Sequence, residues 1–328
     1  MRIGFVINDY DREEPYFTTT RLALQALQMG HDVYYIAVQD FSYTASGQMG
    51  AHAKKAPAKK FRSPQIFMET VFEVDKKLIE SKDLDVLMLR NDPSADLDDR
   101  PWAQYSGIVF GQLAKKNGVL VLNNPDTLAK ATNKMYFQYF PEIIRPETII
   151  TRSLAEIKSF YTAHKKNIVL KPLQGSGGKN VFLVNEQNQN LNQIVDAIGR
   201  DGYIVAQEYL PKASKGDIRL FLLNGKPIEI DGKVAAIHRT QAGGDIRSNI
   251  HQGGSVSQAK ITRKIFDIVD AVSHKLVKDG MFLVGLDVAG DKVMEVNVFS
   301  PGGMGHACRL NDVNYFEEVI KAIERELD

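Results

Sequence analysis

The stretch GLDVAGDKVMEVNVFSPGG, residues 285–303, places two carboxylates and an amide close together on two apolar strands. Asp287 and Glu295 lie on either side of a predicted turn at residues 290–291. Asn297 shares a face with Glu295, because strand side chains repeat every two residues. A three-residue loop would set the two carboxylates opposite each other, and a two-residue loop would leave them one place out of register.

The oxygen-bearing side chains of this hairpin predict a site for a divalent cation. Buried carboxylates that face each other repel unless a cation joins them. Carboxylate and amide oxygens without a neighbouring His or Cys suit Mg²⁺ or Mn²⁺ better than zinc, and Mg²⁺ completes its shell with water and nucleotide phosphates. The alternative is an edge hairpin with solvated acids. The apolar residues around the acids favour the buried site.

A glycine-rich segment supplies a matching site for phosphate. VLKPLQGSGGKN, residues 169–180, places Lys171 at the end of an apolar strand and glycines at 175, 177 and 178. Glycines let backbone N–H groups approach an anion, and the lysine adds a point charge. The segment is not a P-loop, since no Ser or Thr follows Lys179. The alternative for this segment is a flexible hairpin tip.

Other candidate residues carry weaker signals. AQEYLP, residues 206–211, is a strand exit that can offer backbone groups to an adenine edge, and Lys134 lies on an amphipathic segment where a surface lysine is the alternative. Arg219, Arg239 and Arg247 suit carboxylate or phosphate recognition, although a solvated face explains any one of them. His306 and Cys308 show no arrangement of base and orienting group, so we interpret both as incidental.

The composition excludes several classes of protein. The chain has 328 residues with 41 basic and 40 acidic ones, so neither nucleic acid nor an anionic membrane is an expected partner. Its single cysteine excludes an intramolecular disulfide. Neither a leader peptide nor an apolar run of membrane-spanning length is evident, and the cytoplasm is the expected location.

Strand and helix signals alternate over residues 1–122, which predicts a parallel sheet covered on both faces. The polar, lysine-rich residues 47–62 are predicted to form a mobile loop. Ser63 and Pro64 mark the start of a helix. From residue 123 the rhythm changes, beginning with a helix predicted over residues 126–139.

Strands dominate the last third of the chain. Asn224 and Gly225 predict a two-residue hairpin turn. The residues 240–256 are rich in Gly, Gln and Ser and predict a long loop, of a length that is uncommon unless it is disordered or carries a site. A helix is predicted over residues 260–278, followed by the opening hairpin and a terminal helix over 314–326.

These stretches, in this order, resemble the ATP-grasp superfamily, and within it the bacterial glutathione synthetases. The likeness covers nearly the whole chain and includes the segments DVLMLRNDPSAD, NNPDTLAKATNKMYF, PETIITRSLAEIKSFY, IVLKPLQGSGG, AQEYLP, GDIRLFLLNGKPI, GGDIRSN and VGLDVAGDKVMEVNVFSP. Successive matches at family-like spacing are far more specific than any one of them.

The resemblance implies an α/β and α+β architecture in three parts. These are an N-terminal pre-ATP-grasp domain with a parallel sheet (1–122), a central ATP-grasp lobe with the glycine-rich loop (123–205), and a C-terminal lobe with the metal site (206–328). It implies ATP with two Mg²⁺ ions or Mn²⁺, small-molecule substrates (a dipeptide or amino acid), and a homo-oligomer, either a dimer or a tetramer. The implied reaction is carboxylate–amine ligation through an acyl phosphate.

The resemblance also implies roles for individual residues. Nucleotide binding falls to Lys134, Lys171, Gly175, Ser176, Gly177, Gly178, Gln207, Glu208, Tyr209, Leu210 and Asp217. Metal binding falls to Asp287, Glu295 and Asn297. Catalysis falls to Arg219 and Arg239. Substrate binding falls to Arg247, Asn249, Ser300, Gly302 and Gly303.

Two segments depart from the family pattern. After the first strand the family usually carries basic and then hydroxyl residues, whereas DREEPYFTTT keeps the hydroxyls at 18–20 and surrounds Arg12 with acids. After the metal strand the family usually has Ser-Pro-Thr, and this chain has Ser300, Pro301, Gly302 and Gly303. Both segments are expected near the acyl donor or acceptor.

Three hypotheses follow. The leading one is a glutathione synthetase that joins γ-glutamylcysteine and glycine. The second is an ATP-grasp ligase that acts on another dipeptide or amino acid, or one that adds glutamate to protein tails. The segment RSNIHQGGS also resembles the ligases that add glutamate to protein tails. The third is a non-catalytic ATP-binding regulatory module, and the intact set of lysines, arginine and metal ligands argues against it.

Overall fold

The computed structural model describes residues 1–175, 177–187, 190–240 and 254–328. The N-terminal unit is a seven-stranded sheet with the path β3-β4-β2-β1-β6-β7, and β5 pairs with β4. Its strands are β1 (Arg2–Ile7), β2 (Asp32–Ala37), β3 (Phe41–Tyr43), β4 (Met49–Lys55), β5 (Lys77–Glu80), β6 (Val86–Leu89) and β7 (Leu120–Leu122). Its helices are α1 (Thr18–Gln28), α2 (Pro64–Glu73) and α3 (Ser106–Lys116).

The predicted parallel sheet is confirmed for the centre of this unit, where β2, β1, β6 and β7 run parallel. Phe5 of β1 packs in one buried cluster with Leu22 of α1 and with Ile320 near the C-terminus. Val6 faces the other way and shares a second cluster with Ile108 of α3. Both faces are therefore covered, as expected for a parallel sheet.

The prediction of a loop over residues 47–62 is wrong for its first half. Met49–Lys55 forms β4, which pairs antiparallel with β2, β3 and β5. Met49, Ala51 and Ala53 are buried, and His52 between them is exposed. This two-residue alternation is the signal of a half-buried strand, but it is carried here by alanine, a poor strand former, and is masked by the nearby lysines.

The helix predicted over residues 126–139 is also wrong in its extent. Only α4 (Pro125–Leu128) is α-helical there, and short 3-10 turns follow at Ala129–Ala131 and Tyr136–Tyr139. The backbone N–H of Lys134 donates to the carbonyl of Leu173 at 3.0 Å instead of to its own turn. A tertiary hydrogen bond thus replaces a helical one.

The central unit is a four-stranded antiparallel sheet in the order β10-β9-β11-β8, with its own buried core. Its elements are β8 (Thr148–Thr151), α5 (Leu154–Ala163), β9 (Ile168–Pro172), β10 (Phe182–Val184), α6 (Leu191–Gly199) and β11 (Ile204–Glu208). The Ser153 side chain accepts from the Glu156 N–H at 3.3 Å and caps α5.

The C-terminal unit is built on a six-stranded antiparallel sheet with the path β17-β16-β12-β18-β19, and β13 pairs with β12. Its elements are β12 (Asp217–Leu223), β13 (Lys226–Pro227), β14 (Glu229–Ile230), β15 (Lys233–Val234), β16 (Ala236–Thr240), β17 (Ser255–Gln258), α7 (Arg263–Lys278), β18 (Leu283–Ala289), β19 (Lys292–Asn297), α8 (Met304–Asn311) and α9 (Tyr315–Leu327). The predicted turn at Asn224 and Gly225 joins β12 to β13.

Buried contacts join the C-terminal unit to the first. The Asn123 side chain donates to the Leu283 carbonyl at 3.1 Å and accepts from the Leu283 N–H at 2.9 Å. It also donates to the carbonyl of Val298. These bonds connect the end of β7 to both strands of the opening hairpin. Within the described residues, we find no helix with the length and apolar character needed to span a bilayer.

We expect Asn123→Ala to lower the free energy of unfolding by about 2–4 kcal/mol, because it leaves buried backbone groups of Leu283 and Val298 unpaired. Urea denaturation measures this loss. Asn190→Ala is the control: Asn190 is exposed and makes no capping bond, so its change should stay within about 0.5 kcal/mol. Equal losses for the two variants would contradict the role of Asn123.

Candidate active site

A large cavity, about 1590 Å³ in volume, lies where the three units meet. It is lined by residues that follow β1 and β6, by the glycine-rich segment after β9, and by one face of the C-terminal sheet. Every predicted site residue in the described part of the chain lines it: Lys134, Lys171, Gly175, Gly177, Gly178, Gln207, Glu208, Tyr209, Leu210, Asp217, Arg219, Arg239, Asp287, Glu295, Asn297, Ser300, Gly302 and Gly303. Ser176, Arg247 and Asn249, and most of the long loop predicted over 240–256, lie outside the described residues.

The hairpin register sets the two acids opposite each other. Ala289 pairs with Lys292 across a two-residue turn, which alone would leave the acids one place apart. A bulge shifts the register so that Asp287 pairs with Glu295, and Met294 is the extra residue on β19. The alternative left open by the sequence is therefore resolved by a two-residue turn combined with a bulge.

The carboxylate of Asp287 is held by two arginines from neighbouring strands. Arg219 donates from Nε and from an Nη to the two Asp287 oxygens, both at 2.7 Å, and an Nη of Arg239 lies 2.8 Å from Oδ2. Arg239 also donates to Asp217 at 2.7 Å. Burial alone would raise the pKa of Asp287, but the two guanidinium groups together hold it well below its usual range.

These charges follow from the strand register. Asp217 pairs with Arg239, and Arg219 pairs with Asp287, so all four side chains lie on one face of the sheet. Further along the same face of β12, Phe221 packs into the buried cluster that includes α8. The face is therefore charged at the cavity and apolar away from it.

Glu295 and Asn297 are half-buried and extend the polar face to the edge strand. The Asn297 amide lies 3.3 Å from Asp287 Oδ2. The described residues contain no cluster of three or more His, Cys, Asp or Glu side chains that could hold a metal. Two carboxylates and one amide can still bind a hard cation whose shell is completed by phosphate and water.

Two lysines project into the cavity and face these oxygens. Lys134 Nζ donates to the Gly175 carbonyl at 2.7 Å, and Lys171 Nζ donates to Gln207 Oε1 at 3.1 Å. Burial lowers the pKa of Lys134 and lowers that of Lys171 to about 8, against the opposing field of Glu295. Neither ammonium has an ion-pair partner in the part of the chain described here. This uncompensated positive charge fits a polyphosphate.

The backbone around the lysines also suits a nucleotide. Gly177 and Gly178 have φ values of +67° and +75°, a left-handed conformation that turns the loop at little cost only for glycine. Tyr209 and Leu210 line the cavity just beyond Glu208, the last residue of β11. Their backbone groups come directly after the last strand residue of β11, where they could form hydrogen bonds with the edge of an adenine.

Arg90 is a cavity residue that our sequence analysis did not assign. It is 4% exposed, and burial lowers its pKa to about 10. It donates to Thr19 Oγ1 at 3.3 Å and to the Pro301 carbonyl at 3.2 Å. It therefore joins the start of α1 to the segment that carries Ser300 and Gly302. Its position directly after a parallel strand was the available signal, since ligands bind at the carboxyl ends of such strands.

Glu13 is a second unassigned residue at the N-terminal end of the cavity. Its carboxylate accepts from Thr20 Oγ1 at 2.8 Å, and burial raises its pKa to about 7. Arg12 forms ion pairs with Asp96 and Asp99 at 3.1 Å each. Arg12 therefore lies next to acidic residues both in the sequence and in the folded structure.

His306 and Cys308 lie on the cavity wall in α8. Burial raises the pKa of the Cys308 thiol and lowers that of His306. The nearest polar partner of the His306 ring is Arg309, at 3.3 Å. A protonated thiol is a weak nucleophile, so the arrangement supports no role in covalent catalysis.

Comparisons with known proteins agree on one family. The model for the prokaryotic glutathione synthetase N-terminal domain matches residues 1–129, and the model for the prokaryotic glutathione synthetase ATP-grasp domain matches residues 133–312. The glutathione synthetase of Escherichia coli (strain K12) is 31% identical over 282 residues, 85% of this chain and 84% of that protein. That of Shewanella oneidensis is 32% identical over 308 residues, 93% of this chain and 92% of that protein.

Solved structures share the fold. D-cycloserine synthetase DcsG superposes with a TM-score of 0.67 at 12% identity, over 99% of this chain and 100% of that one. A RimK domain ATP-grasp protein from Sphaerobacter thermophilus gives 0.61 at 15% identity, over 98% and 99%. At such identities the likeness establishes the architecture alone, and it agrees with the predicted α/β and α+β arrangement.

We expect Asp287→Asn to lower the free energy of unfolding by about 3–5 kcal/mol at pH 7, since it removes the charge shared by Arg219 and Arg239. The pKa of Asp287 is depressed in the fold, so its contribution is present above the unfolded pKa of about 4 and is lost as the pH falls further. The difference from the wild type should therefore shrink below pH 4. Thermal denaturation between pH 3 and 8 measures it.

The matched control is Asp291→Asn in the same hairpin. Asp291 is exposed and pairs with Lys212 at 2.8 Å, so its loss should stay within about 1 kcal/mol. A pH-independent effect of Asp287→Asn, or an effect equal to that of the control, would contradict the arginine-bound state of Asp287.

We expect Lys171→Met to stabilise the free protein and to weaken nucleotide binding. Because the folded pKa of Lys171 is lowered to about 8, its charge opposes folding at pH 7, and removing it should add about 3 kcal/mol to the free energy of unfolding. Loss of a charge-assisted phosphate contact should weaken ADP binding about tenfold or more. Thermal denaturation and calorimetric titration with Mg²⁺ and ADP measure the two effects.

Lys158→Met is the control for this variant, because Lys158 is an exposed residue of α5 in the same unit. Both quantities should remain as in the wild type. Unchanged ADP affinity in Lys171→Met would show that Lys171 does not contact the phosphates.

Proposed function

The chain belongs to the prokaryotic glutathione synthetase family and is an ATP-dependent ligase, and from this premise we propose that it joins γ-glutamylcysteine to glycine. This family uses ATP and a divalent metal. The observation that carries the proposal is the juxtaposition, in one cavity, of the hairpin oxygens of Glu295 and Asn297 with two ammonium groups that have no ion-pair partner among the described residues.

Lys134 and Lys171 are proposed to bind the ATP phosphates. A triphosphate would supply the anionic partner that these buried ammonium groups lack in the described chain. The backbone N–H groups of residues 175–178 would donate further hydrogen bonds to the phosphates, and the backbone of Gln207–Leu210 would hold the adenine. Asp217 is proposed to act indirectly, since its carboxylate accepts from Arg239.

Asp287, Glu295 and Asn297 are proposed to hold two Mg²⁺ ions, with Mn²⁺ as the alternative of similar preference. Bound divalent ions would neutralise the phosphate oxygens and polarise the phosphoryl group that is transferred. Glu295 is the acid of the pair without a guanidinium partner in the described residues, so it carries the negative charge most directly available to a cation.

The reaction proceeds in two transfers. A carboxylate oxygen of γ-glutamylcysteine attacks the γ-phosphorus of ATP, so that an acyl phosphate forms and ADP leaves. The glycine amine then attacks the acyl carbon, inorganic phosphate leaves, and the amine loses a proton to form the amide. No protein nucleophile takes part.

Arg219 and Arg239 are proposed to stabilise the developing negative charge. Arg219 has its Nε and one Nη on Asp287, and its other Nη lies 3.3 Å from the Gly302 carbonyl. Its guanidinium is thereby preorganised beside the phosphate end of the cavity, where a fixed positive charge lowers the barrier without reorganisation. Arg239 also holds Asp287 in place.

Arg247, Asn249, Ser300, Gly302 and Gly303 are proposed to contact the substrates. We further propose that the enzyme acts in the cytoplasm on small molecules, as a homo-oligomer and without nucleic acid or a membrane. The nearly balanced charge of the chain supports the last point.

The test is a direct assay of products. Purified protein with ATP, Mg²⁺, γ-glutamylcysteine and glycine should release ADP and form the tripeptide amide, identified by mass spectrometry. Turnover with another carboxylate donor only would reject the proposed substrates and retain the ligase.

Glu295→Gln should lose about 99% of turnover or more while the fold remains intact, because the variant keeps the shape of the side chain and loses its charge. The readouts are ADP release and thermal denaturation. Glu229→Gln, an exposed residue of the same unit, should behave as the wild type. Wild-type turnover in Glu295→Gln would show that the metal assignment is wrong.

A further inference from the structure

The backbone after β19 is held in place by two arginines from different units. Arg90, at the end of β6, donates to the Pro301 carbonyl at 3.2 Å. Arg219, on β12, donates to the Gly302 carbonyl at 3.3 Å. The segment 300–303 is therefore anchored at successive peptide groups, and its position relative to the charged face of the sheet is well defined.

The two glycines of this segment differ in what the fold requires of them. Gly303 has φ +98° at the start of α8, and a Cβ there would lie 3.1 Å from Ile237 Cδ1. Glycine is therefore needed at 303 for conformation and space. Gly302 has no left-handed φ, and a Cβ there would meet no described atom within 4 Å. Among the described residues, neither backbone strain nor packing explains the glycine at 302.

The space beside Gly302 belongs to the cavity and lies next to the reacting end of the site. Arg219 contacts both sides: its Nε and one Nη hold Asp287, and the other Nη holds the Gly302 carbonyl. The phosphates and the donor carboxylate occupy the Asp287 side in the proposed function. The free space on the Gly302 side is therefore where the attacking amine and its substituents approach.

We propose that Gly302 determines the size of the acceptor subsite, so that the enzyme accepts small α-amino acids with a side chain, such as alanine and serine, as well as glycine. The inference rests on the proposed function and extends its substrate class. The missing side chain at 302 leaves room for the first side-chain atoms of the acceptor. A threonine at 302 would occupy that room without requiring the backbone to move.

The experiment is a competition assay. Wild-type enzyme receives ATP, Mg²⁺, γ-glutamylcysteine and equimolar glycine, alanine and serine, and the tripeptides are quantified by mass spectrometry. We expect all three products. In Gly302→Thr, the yields of the alanine and serine products relative to the glycine product should fall about tenfold or more. The reason is that the threonine side chain would exclude the side-chain atoms of these acceptors from the pocket.

Two controls separate subsite size from stability. Gly302→Thr should keep the wild-type melting temperature, since its Cβ would have no described atom within 4 Å. Gly305→Ala adds a methyl group elsewhere on the cavity wall, at ordinary distances of 3.8–4.0 Å from its neighbours, and should leave the product ratio unchanged.

The outcomes distinguish the two proposals. A wild type that makes the glycine product alone overturns the inference and leaves the proposed function standing. A product ratio that changes less than about twofold in Gly302→Thr, or a change in donor choice instead of acceptor choice, also overturns it. No tripeptide with any of the three acceptors overturns the proposed function and the inference together.

Discussion

The site depends on the carboxylate of Asp287, which is 3% exposed and is neutralised by two guanidinium groups at 2.7–2.8 Å. A buried carboxylate without such partners would be too costly to keep ionised. The strand register brings these partners together. Arg219 of β12 faces Asp287 on β18, and Asp217 of β12 faces Arg239 on β16, on the other side of β12. The row of alternating charges makes a stiff polar wall on a sheet whose opposite face packs against apolar residues of α7.

The opposite wall of the cavity carries charge that the described residues do not neutralise. Lys134 and Lys171 have pKa values lowered by burial, and their direct hydrogen-bond acceptors are a backbone carbonyl and an amide oxygen. In the proposed function, an anion bound between these ammonium groups would offset the free energy lost in burying them. The fold thus trades stability of the free protein for affinity, a relation common at functional sites.

Closure of the cavity depends on contacts between the units as much as on the sheets themselves. Asn123 joins the end of β7 to the hairpin of β18 and β19, and Arg90 joins the end of β6 to the Pro301 carbonyl. α9 returns the C-terminus to the first sheet, where Ile320 packs with Phe5 and Leu22. These contacts set the distance between the N-terminal unit and the charged wall, and hence the room available to substrates.

The sequence by itself determined the elements whose signals are local, and with them the chemistry of the site. Apolar strands such as β1, β6 and β18, the Ser63 cap of α2 and the turn at Asn224 were predictable because neighbouring residues decide them, and the oxygen-bearing side chains and lysines of the cavity were recognisable by type. Tertiary structure decided what local pattern leaves open. The alanine-rich β4 is a strand because partners on both sides pair with it, and Lys134 leaves a helix because its N–H bonds to Leu173. The bulge that sets Asp287 opposite Glu295, the arginines that neutralise Asp287, and the place of Arg90 in the cavity all depend on residues distant in the chain, whose approach only the folded sheet register determines.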